Sequence, residues 1–175
     1  SGQSISELLD RKEVLELTRL FVFDGYGCNV ESWFVGQTFK WLRKHAKHII
    51  GLISYSDPKA GHLGTVYQST NWIYQGNRIR PNDSWLFKFE ENGEWQHGRT
   101  IFPYYGTNNP TKIQKVIGKT FWIKKEPRKH RYIYILDKSK KSRILKSLKY
   151  PSLPYPKKSE LFEEEIKKLE PIERT

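Results

Sequence analysis

Cysteine is nearly absent from this 175-residue chain, where Cys28 stands alone. That excludes a disulfide framework and a cysteine-based zinc site, and a single thiol suits a reducing compartment. Long apolar runs are missing as well. No stretch approaches the ~20 residues of a membrane-spanning helix. The first turns of chain carry Glu7, Asp10, Glu13 and Glu16, which is unlike a secretory leader. No basic amphipathic helix of the length needed to lie on a bilayer is evident either. The expectation is a soluble cytoplasmic protein with no membrane partner. Acidic residues are also in short supply, 19 against 31 Lys and Arg, for a net charge of +12. A surplus of that size draws a protein to polyanions.

What is present argues for a folded domain. Apolar residues make up 37% and aromatics 14%, with six Trp and ten Tyr, which excludes a disordered tail. The length suits one domain with a real core. The cations concentrate between Lys112 and Lys158 and alternate with aromatics, a pattern that favours nucleic acid over a diffuse basic surface. No internal repeat is visible, and the oligomeric state is not legible.

The periodicity predicts a strand over Val14 to Asp24, closed by Gly25 and Gly27, then a helix capped by Asn29 and running through Ala46. His48 to Tyr55 reads as a second strand ending at the turn Ser56-Asp57-Pro58. The loop from Lys59 to Gly64 leads to a helix-like stretch, Thr65 to Asn71, and an extended Trp72-Ile73-Tyr74. Glu91-Asn92-Gly93 sits between two aromatic stretches as a hairpin signal. Thr111 to Ile117 follows Pro110 and stops at Gly118, the pattern of a short helix. Lys119 to Lys124 and Arg131 to Leu136 read as strands, and Lys138 to Leu148 as a basic helix. Pro151, Pro154 and Pro156 then break the chain before a helical pattern from Ser159 to Leu169. The expectation is an α+β catalytic domain over residues 1–150, with a mixed central sheet and helices on both faces, followed by a Pro-rich linker and an appended helix over residues 151–175.

The order strand, glycine loop, helix presents free backbone N–H groups at a helix start, a device that binds phosphate or pyrophosphate. Gly61 and Gly64 would let the backbone approach such an anion, or they simply close a tight turn. The spacing matches neither a P-loop nor a dinucleotide fingerprint. Asp57 and His62 bracket this loop at the carboxyl end of a strand, where open sheets place ligands. Asp57 is a proton acceptor or metal ligand, or a turn residue before Pro58; His62 is a base or ligand, or a helix-start histidine. Tyr67, Asn71 and Tyr74 fall on one side of a helix, with core packing as the plainer role for the tyrosines. Glu31 is a candidate buried carboxylate or a partner of the helix dipole.

The run SYSDPKAGHLGTVYQSTNWIYQG (Ser54 to Gly76) resembles the central signature of the Mom family of phage DNA-modification proteins. NVESWFVGQTF from Asn29, HGRT and YGT between His97 and Thr107, and KHRYIYIL from Lys129 fit the same family in order. The resemblance implies an N-acetyltransferase-like (GNAT-like) fold and conversion of DNA adenine to an N6-carbamoylmethyl form that blocks restriction. It connects acetyl-CoA or a related acyl-CoA, and iron, with that chemistry. In KAGHLG only the last glycine matches the acetyltransferase phosphate motif.

On that resemblance Tyr55, Gly61, Leu63, Gly64 and Thr65 would hold the donor, and Asp57, His62, Tyr67, Asn71 and Glu31 would serve catalysis. Asn is the natural bidentate partner of an adenine edge. Tyr74, His97, Arg99, Lys129, Arg131 and Tyr132 would contact double-stranded phage DNA. His97 and Arg99 share a strand face, and His97 with His62 or Asp57 would complete a two-His-one-carboxylate iron site. The alternatives are a related transferase acting on a pyrimidine, tRNA or protein amine, and a DNA-binding module without catalysis.

Overall fold

The computed structural model describes residues 5–23, 25–77, 84–157 and 165–172. The chain divides into two compact units, residues 1–79 with 129–161, and residues 80–128 with 162–175. Together they form a mixed α+β protein with two sheets and five helices among the described residues.

In the first unit, strand β1 (Val14–Leu17) runs parallel to β2 (Gly51–Ser56), joined through helix α1 (Val30–His45). Strand β7 (His130–Ile135) lies antiparallel to β2 on one side and to the short β3 (Ile73–Tyr74) on the other. The sheet order is therefore β1-β2-β7-β3. Side chains alternate across it with period 2. On one face Leu52, Tyr132 and Tyr74 join Val35, Phe39 and Leu42 of α1 and Tyr67 of α2 (Thr65–Ser69). On the other, Val14, Ile53, Ile133 and Ile135 pack with Ile5, Leu9 and Ile144 of α5 (Lys138–Lys146). Helices thus cover both faces, as the sequence predicts.

The second unit is an antiparallel sheet of order β5-β4-β6-β8, with β4 at Trp85–Lys88, β5 at Gln96–His97, β6 at Phe121–Lys125 and β8 at Ile166–Leu169. Helices α3 (Gly98–Tyr105) and α4 (Pro110–Ile117) bring Ile101 and Ile113 against Phe87, Phe121 and Ile123. One central sheet was expected; this second sheet is the difference.

Four further expectations change. The first strand stops at Leu17, where its ladder with β2 ends at Leu17↔Ser54, and Phe21 and Phe23 beyond it are 77% and 72% exposed. Asn29 does occupy the cap position of α1, but with φ +69 and no side-chain cap hydrogen bond. Its contribution is tolerance of the left-handed conformation. Helix α2 ends at Ser69, and Asn71 sits at φ +59, so Tyr67, Asn71 and Tyr74 do not share a helical side. Ile166–Leu169 pairs with β6 as a strand, so the helical pattern there yields to an available sheet edge; residues 158–164 lie outside the described residues.

Candidate active site

The alternation of β2 and β7 places Ser54, Ser56, His130 and Tyr132 on the same sheet face as Tyr74. That face is apolar at Leu52 and turns polar toward the carboxyl end of β2. The Ser54 hydroxyl lies 2.7 Å from the Leu17 carbonyl and 2.7 Å from Tyr67 Oη. Ser54 has one proton, which goes to the carbonyl, leaving the Tyr67 hydroxyl to donate to Ser54. The Tyr132 hydroxyl donates to the Leu63 carbonyl, which also accepts from Gln68 Nε2 at 3.0 Å. Tyr74 Oη and His130 Nδ1 are 2.7 Å apart. Ser56 faces His130 across the ladder, and its buried hydroxyl has no hydrogen-bond partner among the described residues. A buried polar atom left unpaired carries a cost, so Ser56 is a place where a ligand or water is wanted.

Aromatic rings tie this row together: Tyr132 lies 5.1 Å from both Tyr67 and Tyr74, and Tyr74 lies 5.6 Å from His130. Burial pushes the Tyr132 hydroxyl up to about 12. Tyr132 is therefore a neutral donor at physiological pH. Beside β3, a cleft of about 240 Å³ is lined by Asn71 to Tyr74 and by Ser152 to Tyr155, and Tyr155 Oη donates to the Trp72 carbonyl at 2.6 Å.

The glycine loop is built as a turn held by local hydrogen bonds. Asp57 caps a 3-10 turn, Pro58–Ala60, by accepting from Lys59 N at 3.0 Å, and its carboxylate lies 3.8 Å from Lys129 Nζ. His62 and Thr65 are exposed, and Leu63 is buried. A Cβ on Gly64 would fall 2.5 Å from the Tyr132 ring, so the space beside this glycine already holds a side chain. Helix α2 has only five residues and a correspondingly weak N-terminal dipole. Gly64 is thus required by its left-handed backbone and its packing against Tyr132, and no step is derived through CoA.

Other expected site residues take structural positions. Arg131 is 1% exposed on the opposite sheet face; its guanidinium donates to Gln75 Oε1 at 2.8 Å and to Tyr55 Oη at 3.1 Å, and lies 5.2 Å from the Tyr150 ring. Burial lowers its pKa. A guanidinium enclosed this way is not a phosphate contact. Glu31 is exposed in the first turn of α1, so it is not a buried carboxylate. In the second unit, Arg99 is exposed on α3, and His97 caps that helix. His97 Nδ1 accepts from Arg99 N at 3.0 Å, so Nε2 carries the proton and meets Glu126 Oε2 at 3.2 Å. His97 Nε2 also lies 3.3 Å from Ser84 Oγ. Among the described residues, no group of three His, Cys, Asp or Glu is placed to hold a metal ion, and no step is routed through one. Nor is any helix among them long and apolar enough to cross a membrane.

Sequence reasoning missed Ser54, Ser56, Gln68 and His130. The signal that was available is the alternation of Ser54 and Ser56 with Ile53 and Tyr55, which marks a polar stripe at a strand end.

Fold and site define an α+β protein with a buried tyrosine–histidine row at the carboxyl end of a central strand, where open sheets hold ligands. The chain belongs to the Mom protein family, whose model matches residues 1–157. It is also similar to methylcarbamoylase mom of Escherichia phage Mu, with 26% identity over 163 residues that cover 90% of this chain and 62% of that protein. The chain therefore spans about three fifths of that relative's length.

Proposed function

We propose that this protein modifies phage DNA, transferring a small acyl- or carbamoylmethyl-type group to the N6 amine of adenine on an N-acetyltransferase-like fold, and so guards the DNA against restriction. Family membership and the methylcarbamoylase relative support the reaction class. The observation that carries the site is the buried Tyr74–His130 pair facing the unpartnered Ser56 hydroxyl.

Adenine N6 is a weak nucleophile inside a duplex, so the base must leave the stack to react. The cleft beside β3 offers the exposed Asn71, whose amide matches the adenine edge, and the half-exposed ring of Tyr155 for stacking. As the N6–carbon bond forms, the donor's leaving group departs with its electron pair and one N6 proton must be taken up. Tyr74 and His130 are the relay for that proton, a role that general acid–base catalysis assigns to paired groups of this kind. Asp57 and His62 lie in the loop that follows β2, and Lys129 Nζ lies 3.8 Å from the Asp57 carboxylate.

Expression in a bacterial host, followed by digestion of the DNA and mass measurement of the nucleosides, tests the reading. A new adenosine mass is expected. A modified pyrimidine would move the acceptor to another base, and unchanged nucleosides from a folded, expressed protein would overturn the reading.

A further inference from the structure

We propose that the solvent face of α5 is the grip by which this protein holds the phosphate backbone of duplex DNA; the inference rests on the reading of DNA as the acceptor. Nine residues long, α5 meets the body through Ile144 and exposes the other eight. Five of those eight are cations and none is an acid; the flanking Asp137 caps Ser139 N at 2.9 Å and interacts electrostatically with Lys140 alone among the five. Among the described residues, none of the five cations forms an ion pair. Lys138, Lys141, Ser142, Leu145 and Lys146 line one shallow trough of about 470 Å³.

This charge pattern works against the helix that carries it. Lys138 and Lys141, Lys140 and Arg143, and Arg143 and Lys146 are like charges three positions apart, which repel on a helix surface. The first turn holds cations where the macrodipole favours acids. A polyanion laid along the trough turns that repulsion into attraction. From Lys138 to Lys146 the helix advances about 12 Å, while a duplex carries one charge per ~1.7 Å of axis, so several phosphates come within reach. A bilayer is the poorer fit, because an interfacial helix needs a broad apolar side and the trough offers Leu145 alone.

The test compares two triple variants of the full chain, Lys138→Gln with Lys141→Gln and Lys146→Gln, and Lys40→Gln with Lys44→Gln and Lys47→Gln. Both remove the same charge from exposed positions. Duplex DNA binding is measured across a salt series, with circular dichroism melts to verify folding. Each lost phosphate contact lowers the slope of log affinity against log salt by about 0.9. The α5 triple is expected to flatten the slope by roughly 2 to 3 and the control triple to leave it in place. An unchanged slope for the α5 triple, or equal flattening by both, overturns the proposal. So does loss of binding to phosphatidylserine-rich vesicles or single-stranded RNA with duplex binding intact. Unmodified nucleosides alongside a flattened slope would remove the transferase reading and leave the grip standing, and modified adenosine with an unchanged slope would do the reverse.

Discussion

The ring of Tyr132 stands where any side chain at position 64 would have to be: a Cβ built on Gly64 meets Tyr132 Cε2 at 2.5 Å and its hydroxyl oxygen at 2.9 Å. Gly64 also holds φ +76 at the start of α2, a conformation that costs an L-residue ~1–2 kcal/mol. Backbone conformation and packing thus demand glycine together. Gly64→Ala is expected to lower stability by about 3 kcal/mol, the positive-φ cost plus overpacking of a fully buried ring. Gly61→Ala, with φ +72 but open space around its Cβ, should lose only about 1 kcal/mol. Urea midpoints of the two variants decide it; equal losses would remove Tyr132 from the explanation.

Tyr132 also sets a pH dependence. Its hydroxyl ionises near 12 in the fold and near 10 in an unfolded chain. The unfolded state therefore releases this proton first as pH rises. The contribution to stability is complete below pH ~10 and fades between about 10 and 12. Tyr132→Phe should shrink the alkaline fall in stability over that window and, at neutral pH, cost about 1 kcal/mol for the lost bond to Leu63. Melts of both proteins from pH 8 to 11 measure the difference, and parallel curves would count against it.

Arg131 is a framework residue. Replacing it with Gln removes the donors to Gln75 and Tyr55 inside the fold, and buried polar groups stripped of partners are costly. A loss of about 2–3 kcal/mol is expected, with the salt slope of DNA binding unchanged in the protein that remains folded. A flattened slope at unchanged stability would return Arg131 to the DNA surface.

Tyr74→Phe separates chemistry from packing. The ring stays in its contacts with Tyr132 and His130, and only the hydroxyl 2.7 Å from His130 Nδ1 is lost. Base modification is expected to fall a hundredfold or more, while melting shifts by the ~1 kcal/mol of one hydrogen bond. Modification at the wild-type rate would move the proton relay away from this pair.

His62→Ala probes the loop after β2. The side chain is exposed, so the melting temperature should hold, as should DNA binding. Modification is expected to disappear all the same, because a group that serves the transition state contributes little to ground-state binding. Unaltered nucleoside yields would leave His62 as a loop residue.

Local chemistry was legible wherever a signal completes itself within a few residues. The helix at Pro110–Ile117 is an instance: the Asn109 side chain caps it, Pro110 fits its first position, and Gly118 leaves it at φ +61. Strands β2, β6 and β7 announce themselves by β-branched and aromatic runs, and the Mom signature between Ser54 and Gly76 is readable without coordinates. Helix α3 was not legible, since Pro103 lies inside it and its cap is a histidine.

The site depended on partners far apart in the chain. Tyr74 meets His130 across 56 positions, and Arg131, one residue on, points to the opposite face to bond Gln75 and Tyr55. Whether a residue of KHRYIYIL faces the polar row or the other side is set by the register of β7 between β2 and β3. A shift of one residue would exchange the faces and place Arg131 in the row instead of His130. That register is fixed by which hydrophobic side chains fill the two cores, a property of the assembled sheet that no single segment carries.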